Sequence, residues 1–438
     1  MSKLIIEGGN PLKGTVRLGG AKNASFKLMI ASLLTCCEVR LLNMSNIKDV
    51  HTTKKIITSL GGKIAVAGER SLSINCAKLK NFRISPQLSK ESRASTMFIG
   101  PLLARFGRAF VALPGGDKIG PRPLDRHIEG LKKLGVNIKK RNNFLIATGI
   151  LKGGNYTFPK NSHTGTETLL MAAVCAKGKT VLGNAAQEPE VDELINFLNG
   201  MGAHIKRNNK REIEIEGTSN LRPIVYKIMP DRNEAVSYAI AALITKGDIV
   251  VENAIKEHLE TFLEKLKLTG AGIQFGNYGI RFYYKGKLKP VDITTKPHPG
   301  FMTDWQPLWA VLATQSYGTT RIIESVYLNR FNYVKNLISM GAKIAYFNPD
   351  IKNPDSFYNF NLVDSWDKLP HGIEIKGPSM LSSVVAKIPD LRAGATLVLA
   401  GLIANSKKTI LENIYHIDRG YEDLDGRLKK LGAKITRV

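Results

Sequence analysis

Four charged side chains stand where short polar phrases run into long apolar ones: Lys22, Arg93, Asp304 and Arg392. Lys22 lies in Gly19-Gly20-Ala21-Lys22-Asn23-Ala24-Ser25, and Arg93 in Ser92-Arg93-Ala94-Ser95. Asp304 lies in Pro299-Gly300-Phe301-Met302-Thr303-Asp304-Trp305, and Arg392 in Pro389-Asp390-Leu391-Arg392-Ala393. The apolar runs read as buried helices, so each of the four opens one. A cation at a helix N-terminus opposes the helix dipole. Three such cations in one chain therefore point to anionic ligands, which the free N–H groups of a helix start also attract. Asp304 is open to a plainer reading as well, because Asp is a favoured N-cap. A further candidate is the loop from Leu113 to Asp125, with three glycines, three prolines and four charges. A connection of that length is functional or disordered. As a mobile cover it would bring Asp117 and Arg122 to a substrate.

The elements that position these residues repeat. Leu60-Gly61-Gly62-Lys63-Ile64 returns as Leu134-Gly135-Val136, Met201-Gly202-Ala203, Thr269-Gly270-Ala271, Met340-Gly341-Ala342 and Leu431-Gly432-Ala433. Each phrase follows an amphipathic stretch and precedes a short strand, as a glycine that ends a helix in left-handed backbone would. The first glycines lie 74, 67, 68, 71 and 91 residues apart, a period longer than that of common solenoids. Before each phrase lies an apolar run: Phe26–Leu34, Met97–Ala104, Thr168–Ala176, Ala235–Ile244, Leu308–Thr314 and Ala395–Ala404. These runs are apolar on nearly all sides, so their helices should be buried all round. Each unit reads as buried helix, strand, outer helix, strand and one or two further strands. Six units group as three plus three, with Glu212 to Arg232 as the divider. The chain start, Lys3 to Arg17, reads as two strands that pair into the second half.

Composition sets bounds on function. The chain has 438 residues, 43% of them apolar and 23% charged, which suits two or three globular domains. No run reaches the roughly 18 apolar residues a membrane helix needs. The first residues are too soon charged for a signal peptide, so a cytoplasmic location is expected. Cys36, Cys37, Cys76 and Cys175 have neither metal nor disulfide-framework spacing and read as buried apolar residues. The net charge of +26 is spread over every repeat. It forms no arginine-rich run with interleaved aromatics, so attraction of small anions is a better reading than nucleic-acid binding.

In these residues the chain resembles the UDP-N-acetylglucosamine enolpyruvyl transferases of peptidoglycan synthesis, from Leu4 to Val438. The shared markers include Gly20-Ala21-Lys22-Asn23-Ala24, Arg93-Ala94-Ser95, the loop Pro114 to Asp125, Gln187-Glu188-Pro189-Glu190, Pro230-Asp231-Arg232 and Asn329-Arg330-Phe331. Asp390-Leu391-Arg392-Ala393 and Tyr415-His416-Ile417-Asp418-Arg419-Gly420-Tyr421 complete them. The sister enzymes of the shikimate pathway carry Ser-Lys-Ser where this chain has Ala21-Lys22-Asn23.

The resemblance implies an α/β (α+β) fold, a two-lobed inside-out α/β barrel of six βαβαββ repeats, three per lobe. It implies one lobe of residues 22–229 with the mobile loop 114–125, a second of 1–21 plus 230–438, and an active site in the cleft between them. It implies transfer of the enolpyruvyl group of phosphoenolpyruvate to the 3′-hydroxyl of UDP-N-acetylglucosamine, releasing phosphate through a tetrahedral intermediate. No metal or organic cofactor, nucleic acid or membrane partner is expected. No feature sets an oligomeric state, and a monomer is compatible with all of them.

By the same resemblance Asp304 is the base and Asp117 the acid, with Lys22 and Arg392 also catalytic. Lys22, Asn23, Arg122 and Arg392 hold phosphoenolpyruvate, a dense anion suited to arginine forks. Arg93, Arg122, Pro123, Leu124, Asp125, Arg126, His127, Lys160, Ser162, Asp304 and Val326 contact the nucleotide sugar, His127 near the uracil. Glu188, Asp231 and Arg330 match further active-site positions. Two departures stand out. Many members carry Cys where this chain has Asp117; a carboxylic acid can donate a proton only if burial lifts it from its usual pKa of about 3.9. Around Ser162 to Glu167 the chain is one residue longer than some relatives, which leaves the register of His163 to Gly165 open. Two other readings stay on the page: a catalytically silent nucleotide-sugar-binding regulator, and a nucleic-acid-binding protein resting on charge alone.

Overall fold

In a computed structural model, which describes residues 2–115, 123–362, 366–405 and 408–438, the six phrase glycines all take left-handed backbone. Their φ angles are 99° at Gly61, 84° at Gly135, 98° at Gly202, 84° at Gly270, 98° at Gly341 and 104° at Gly432. After five of the six glycines, all but Gly270, the next residue closes the helix by donating to the carbonyl five positions back. Gly62 N reaches Ile57 O at 2.9 Å, Ala203 N reaches Leu198 O at 3.0 Å, and Ala433 N reaches Leu428 O at 3.0 Å. This is the Schellman closure, which satisfies carbonyls the helix end would leave orphaned. The chain then turns directly into a strand, such as Lys63–Gly68 or Lys434–Arg437.

Each glycine belongs to one four-stranded sheet, and all six sheets have one plan. In the sheet built from Arg83–Ile84, Arg108–Ala112, Asn137–Arg141 and Phe144–Thr148, the first two strands are parallel. The last strand pairs antiparallel with both the second and the third. A parallel pair needs a crossover, and the buried helix supplies it. The repeat is therefore strand, buried helix, strand, outer helix, strand, strand. The leading strand, which the apolar pattern did not reveal, is two to five residues long in every sheet.

The described chain divides into two compact units, one of residues 2–18 and 230–438 and the other of residues 19–115 and 123–229. Each has three sheets and its own apolar core. In the second, Ile224–Lys227 returns from far along the chain to lead the first sheet, beside Glu38–Leu42. In the first, Lys13–Arg17 leads the sheet of Asp248–Glu252, and Lys3–Glu7 lies between Thr409–Glu412 and Lys434–Arg437. Strand alternation turns Ile213 and Ile215 inward and Glu212, Glu214 and Glu216 away from the core. Burying side chains such as Leu169, Ile240 and Leu397, all 0% exposed, stabilises each unit by about 1.5–3 kcal/mol per side chain.

One expectation needs correction. Cys36 is exposed and Cys37 and Cys175 are partly so; only Cys76 is buried, and all four are free thiols. Cys36 and Cys37 fall in the short link between Leu34 and the Glu38 strand, outside the core. The long final spacing has a local cause. In four sheets the third and fourth strands are joined by two residues, but residues 348–371 intervene between Lys343–Phe347 and Gly372–Gly377. That insertion has a small cluster of its own, in which Tyr358, Phe360 and Leu328 are buried. Among the described residues, no helix is long and apolar enough to cross a membrane.

Candidate active site

The core helices begin before their apolar runs, and the extra turn is where the candidate residues lie. Lys22 is the first residue of the Lys22–Ala31 helix and Arg392 the second of Leu391–Leu402. Arg93 opens a 3-10 turn that runs into Ile99–Phe106. Asp304 sits two residues ahead of Gln306–Thr314 and is not its cap; Trp305 flanks that helix and no side chain caps it. Polar side chains break the apolar pattern there, so the pattern places the helix but not its functional end.

In the unit of residues 19–229, Gly20 allows the approach that sets Lys22 in place. A Cβ at Gly20 would lie 1.9 Å from Asn43 O, and Ala21 N donates to Met229 O at 2.7 Å. Lys22 is buried, with Nζ 2.9 Å from Asp49 Oδ2 in the first turn of Lys48–Ser59; Asn23 is half-buried beside it. The nucleotide-sugar candidates from Pro123 to His127 and at Lys160 and Ser162 form two adjoining segments. Pro123 and Leu124 lead into the helix Asp125–Lys133, while Ser162 caps His163–Ala173 by accepting from Gly165 N at 3.1 Å. Arg126 Nη1 donates to Asn161 O at 2.9 Å, and His127 Nε2 lies 3.1 Å from Thr164 Oγ1. The two segments are thus tied next to Lys160. Behind them Lys27 Nζ donates to Glu167 Oε1 at 2.6 Å and lies 2.9 Å from His163 Nε2. Burial and Lys27 disfavour the charged form of His163, but the Glu167 and Glu188 carboxylates together outweigh them and the net shift is upward. Asp117 and Arg122 lie outside the described residues.

In the other unit Asp304 is the hub. Its Oδ1 accepts from Arg330 Nη2 at 2.8 Å and its Oδ2 from Arg392 Nη2 at 2.9 Å. The arginine side chains are 3% and 6% exposed, whereas Asp304 keeps 23% of its side chain open. Burial opposes the charge on both arginines, yet the surrounding acidic groups, Asp304 foremost, together outweigh it and their pKa values rise. Asp390 caps the Arg392 helix, its Oδ1 accepting from Arg392 N and Ala393 N at 3.0 Å each. Asp231 caps Arg232–Ile244 in the same way. Arg392 Nη1 also donates to Tyr421 OH at 3.4 Å. The cation at this helix start is therefore offset by the cap and by Asp304.

Half-buried Val326 lies in a turn held by Glu324. Glu324 Oε1 accepts from Val326 N at 2.8 Å and Tyr327 N at 2.9 Å, and Oε2 accepts from Thr303 Oγ1 at 3.0 Å. Burial pushes the Glu324 carboxyl up, against these hydrogen bonds and the charge of Arg330. Glu324 and Asp49 are residues that the sequence did not mark. Asp49 reads as a routine acidic residue in a first helical turn, and Glu324 as the polar end of a strand.

The whole chain is similar to known enolpyruvyl transferases. The sequence profile of EPSP synthase (3-phosphoshikimate 1-carboxyvinyltransferase) matches residues 6–428. The UDP-N-acetylglucosamine 1-carboxyvinyltransferase of Acidobacterium capsulatum is 40% identical over 443 residues, covering 100% of this chain and 96% of the relative. That of Coxiella burnetii is 41% identical over 441 residues, with the same coverage. Among solved structures, the enolpyruvyl transferase NikO from Streptomyces tendae aligns with a TM-score of 0.86 at 23% identity, over 100% of this chain and 99% of that one. EPSP synthase from Acinetobacter baumannii aligns at 0.75 and 17% identity, over 100% of both chains.

Proposed function

The chain belongs to the EPSP synthase family of carboxyvinyl transferases, and from that premise we infer the chemistry its residues perform. The enzyme transfers the enolpyruvyl group of phosphoenolpyruvate to UDP-N-acetylglucosamine and releases phosphate, the reaction named for its 40%-identical relatives. That reaction serves peptidoglycan precursor synthesis. A cytoplasmic location goes with this reading.

The reaction needs a proton delivered to C3 of phosphoenolpyruvate and one removed from the 3′-hydroxyl of the sugar. Attack of the hydroxyl oxygen on C2 forms the C–O bond of a tetrahedral intermediate. Loss of a proton from C3 and of phosphate from C2 then restores the double bond. One acid and one base suffice. We assign the base to Asp304, and the observation that carries this is its partly open carboxylate gripped by two buried arginines. The grip fixes its direction and favours the charged form, but a carboxylate so well paired is a weak base. Arg392 resolves the conflict in our reading. When it turns to the phosphate or carboxylate of phosphoenolpyruvate, Asp304 Oδ2 loses a cation and becomes a stronger acceptor.

Lys22, Asn23 and Arg122 are assigned with Arg392 to phosphoenolpyruvate. Arg93, Arg122, Pro123, Leu124, Asp125, Arg126, His127, Lys160, Ser162, Asp304 and Val326 are assigned to the nucleotide sugar, and Asp117 to the acid. The test is Asp304→Ala in a phosphate-release assay. Turnover should fall by about 10²–10⁴-fold, the worth of a positioned base. Near-normal turnover removes Asp304 from the role.

A further inference from the structure

The turn that carries Val326 and Arg330 is held more firmly than its length requires. Glu324, 1% exposed, binds its backbone from within through Val326 N and Tyr327 N. Ser325 N donates to Thr295 Oγ1 at 2.8 Å, and Ser325 Oγ donates to Thr295 O. From the other side comes the insertion. Asn359 N donates to Ser325 O at 2.7 Å, Glu324 N donates to His371 O at 2.9 Å, and Leu328 packs with Tyr358 and Phe360. A buried carboxylate costs several kcal/mol unless its oxygens are satisfied. Here both oxygens are used, and the second reaches Thr303, the neighbour of Asp304. One side chain therefore links the turn bearing Val326 and Arg330 to the turn bearing Asp304.

We propose that Glu324 is a positioning residue of this reaction: it fixes the 325–330 turn against Thr303 and so sets, together, Val326 toward the nucleotide sugar and Arg330 on Asp304. The proposal rests on the assignments of Asp304 and Val326 above. Glu324 touches no substrate in it and acts through those residues. The insertion of residues 348–371 backs the same turn, so the longest repeat is the one that braces the base.

Steady-state kinetics with each substrate varied in turn, beside thermal melts, test this on Glu324→Ala and Glu324→Gln. In Glu324→Ala, kcat should fall by about 10²-fold, the effect of a misplacement near 1 Å. The KM for UDP-N-acetylglucosamine should rise about tenfold, equal to about 1.4 kcal/mol, while that for phosphoenolpyruvate stays put. Glu324→Gln should recover most of both, since its amide oxygen still accepts from the two N–H groups. A role in folding alone would lower apparent kcat and leave both KM values in place; that result overturns the proposal. Should Glu324→Ala not fold, Thr303→Val cuts only the link to the Asp304 turn. With a wild-type thermal melt, which excludes a loss of folded enzyme, a reduced kcat and an unchanged KM for the nucleotide sugar support the proposal there; a wild-type kcat, or a kcat that falls only as far as the melt does, overturns it. Asp304→Ala runs in parallel. Turnover retained in that variant overturns the catalytic reading itself, while loss there beside wild-type kinetics in Glu324→Ala overturns only the role of Glu324.

Discussion

Lys22 and Asp49 meet at 2.9 Å from the first turns of two successive helices, with side chains 10% and 7% exposed. An ammonium at a helix start opposes the dipole of its own helix, and Asp49 offsets it while no anionic substrate is bound. On the assignment of Lys22 proposed above, the pair ties a stability requirement to a catalytic one, and the two can be separated.

Lys22→Ala should abolish turnover and also destabilise the fold by about 3–5 kcal/mol, because it strips a buried carboxylate of the ammonium it faces. Lys22→Ala with Asp49→Asn should regain most of that stability and none of the activity. Chemical denaturation and phosphate release, measured on both variants, check the separation. Activity regained along with stability would make Lys22 a structural residue.

How far the sequence revealed this site depends on which physical signal each part leaves. The helix closures were legible because only glycine takes φ near 100° at no steric cost; Gly61, Gly135 and Gly432 had no substitute to hide behind. The buried helices were legible from apolar runs, but Lys22, Arg392 and Ser162 lie in first turns that the runs exclude. Those positions came from short motifs instead. The partners of the candidates left little trace. Glu324 is 20 residues from Asp304 in the chain and Arg392 is 88 away, and neither spacing follows a local period. The insertion at 348–371 showed only as a longer interval, since its core is a handful of aromatic side chains rather than a repeat.

Asp117 lies outside the described residues, and its chemistry alone sets the next outcome. An epoxide such as fosfomycin is opened by a soft thiolate, the group that the family resemblance implies at this place; a carboxylate is a poorer nucleophile. The enzyme should keep its activity after incubation with fosfomycin, and Asp117→Cys should lose it. Mass spectrometry checks the point. A covalent adduct in the wild-type loop 114–125 would contradict the prediction.

His371 should make the fold sensitive to mild acid. It is 1% exposed, lies between the rings of Phe360 and Trp366 at 5.4 and 5.5 Å, and burial lowers its pKa below 6.5. Above that value both the folded and the unfolded chain hold the neutral ring, and its contribution is intact. As pH falls through it, the unfolded chain takes up a proton that the folded chain refuses, so stability drops. Thermal melts from about pH 7.5 to about pH 5.5 should show a larger loss for the wild type than for His371→Phe, which keeps the stack and does not titrate. Equal losses would mean that the ring is already exchanging protons in the fold.

Gly270 isolates the cost of the left-handed backbone that the six phrases share. Its φ is 84°, and a Cβ placed there meets nothing within 4 Å. Gly270→Ala should lower the unfolding free energy by about 1–2 kcal/mol, the backbone penalty alone. Gly61→Ala should cost more, because its Cβ would also lie 2.9 Å from Lys78 O. Urea midpoints of the two variants give the order, and a smaller loss at Gly61 would contradict it.

The central claim is the reaction, and phosphate release from the purified protein tests it most directly. With phosphoenolpyruvate and UDP-N-acetylglucosamine together, phosphate should be released in step with loss of both substrates. With phosphoenolpyruvate alone, or with shikimate 3-phosphate as the acceptor, release should stay at background. Binding of the nucleotide sugar without phosphate release would make the chain a silent regulator, and release with shikimate 3-phosphate would place it with the sister enzymes; either result contradicts the account.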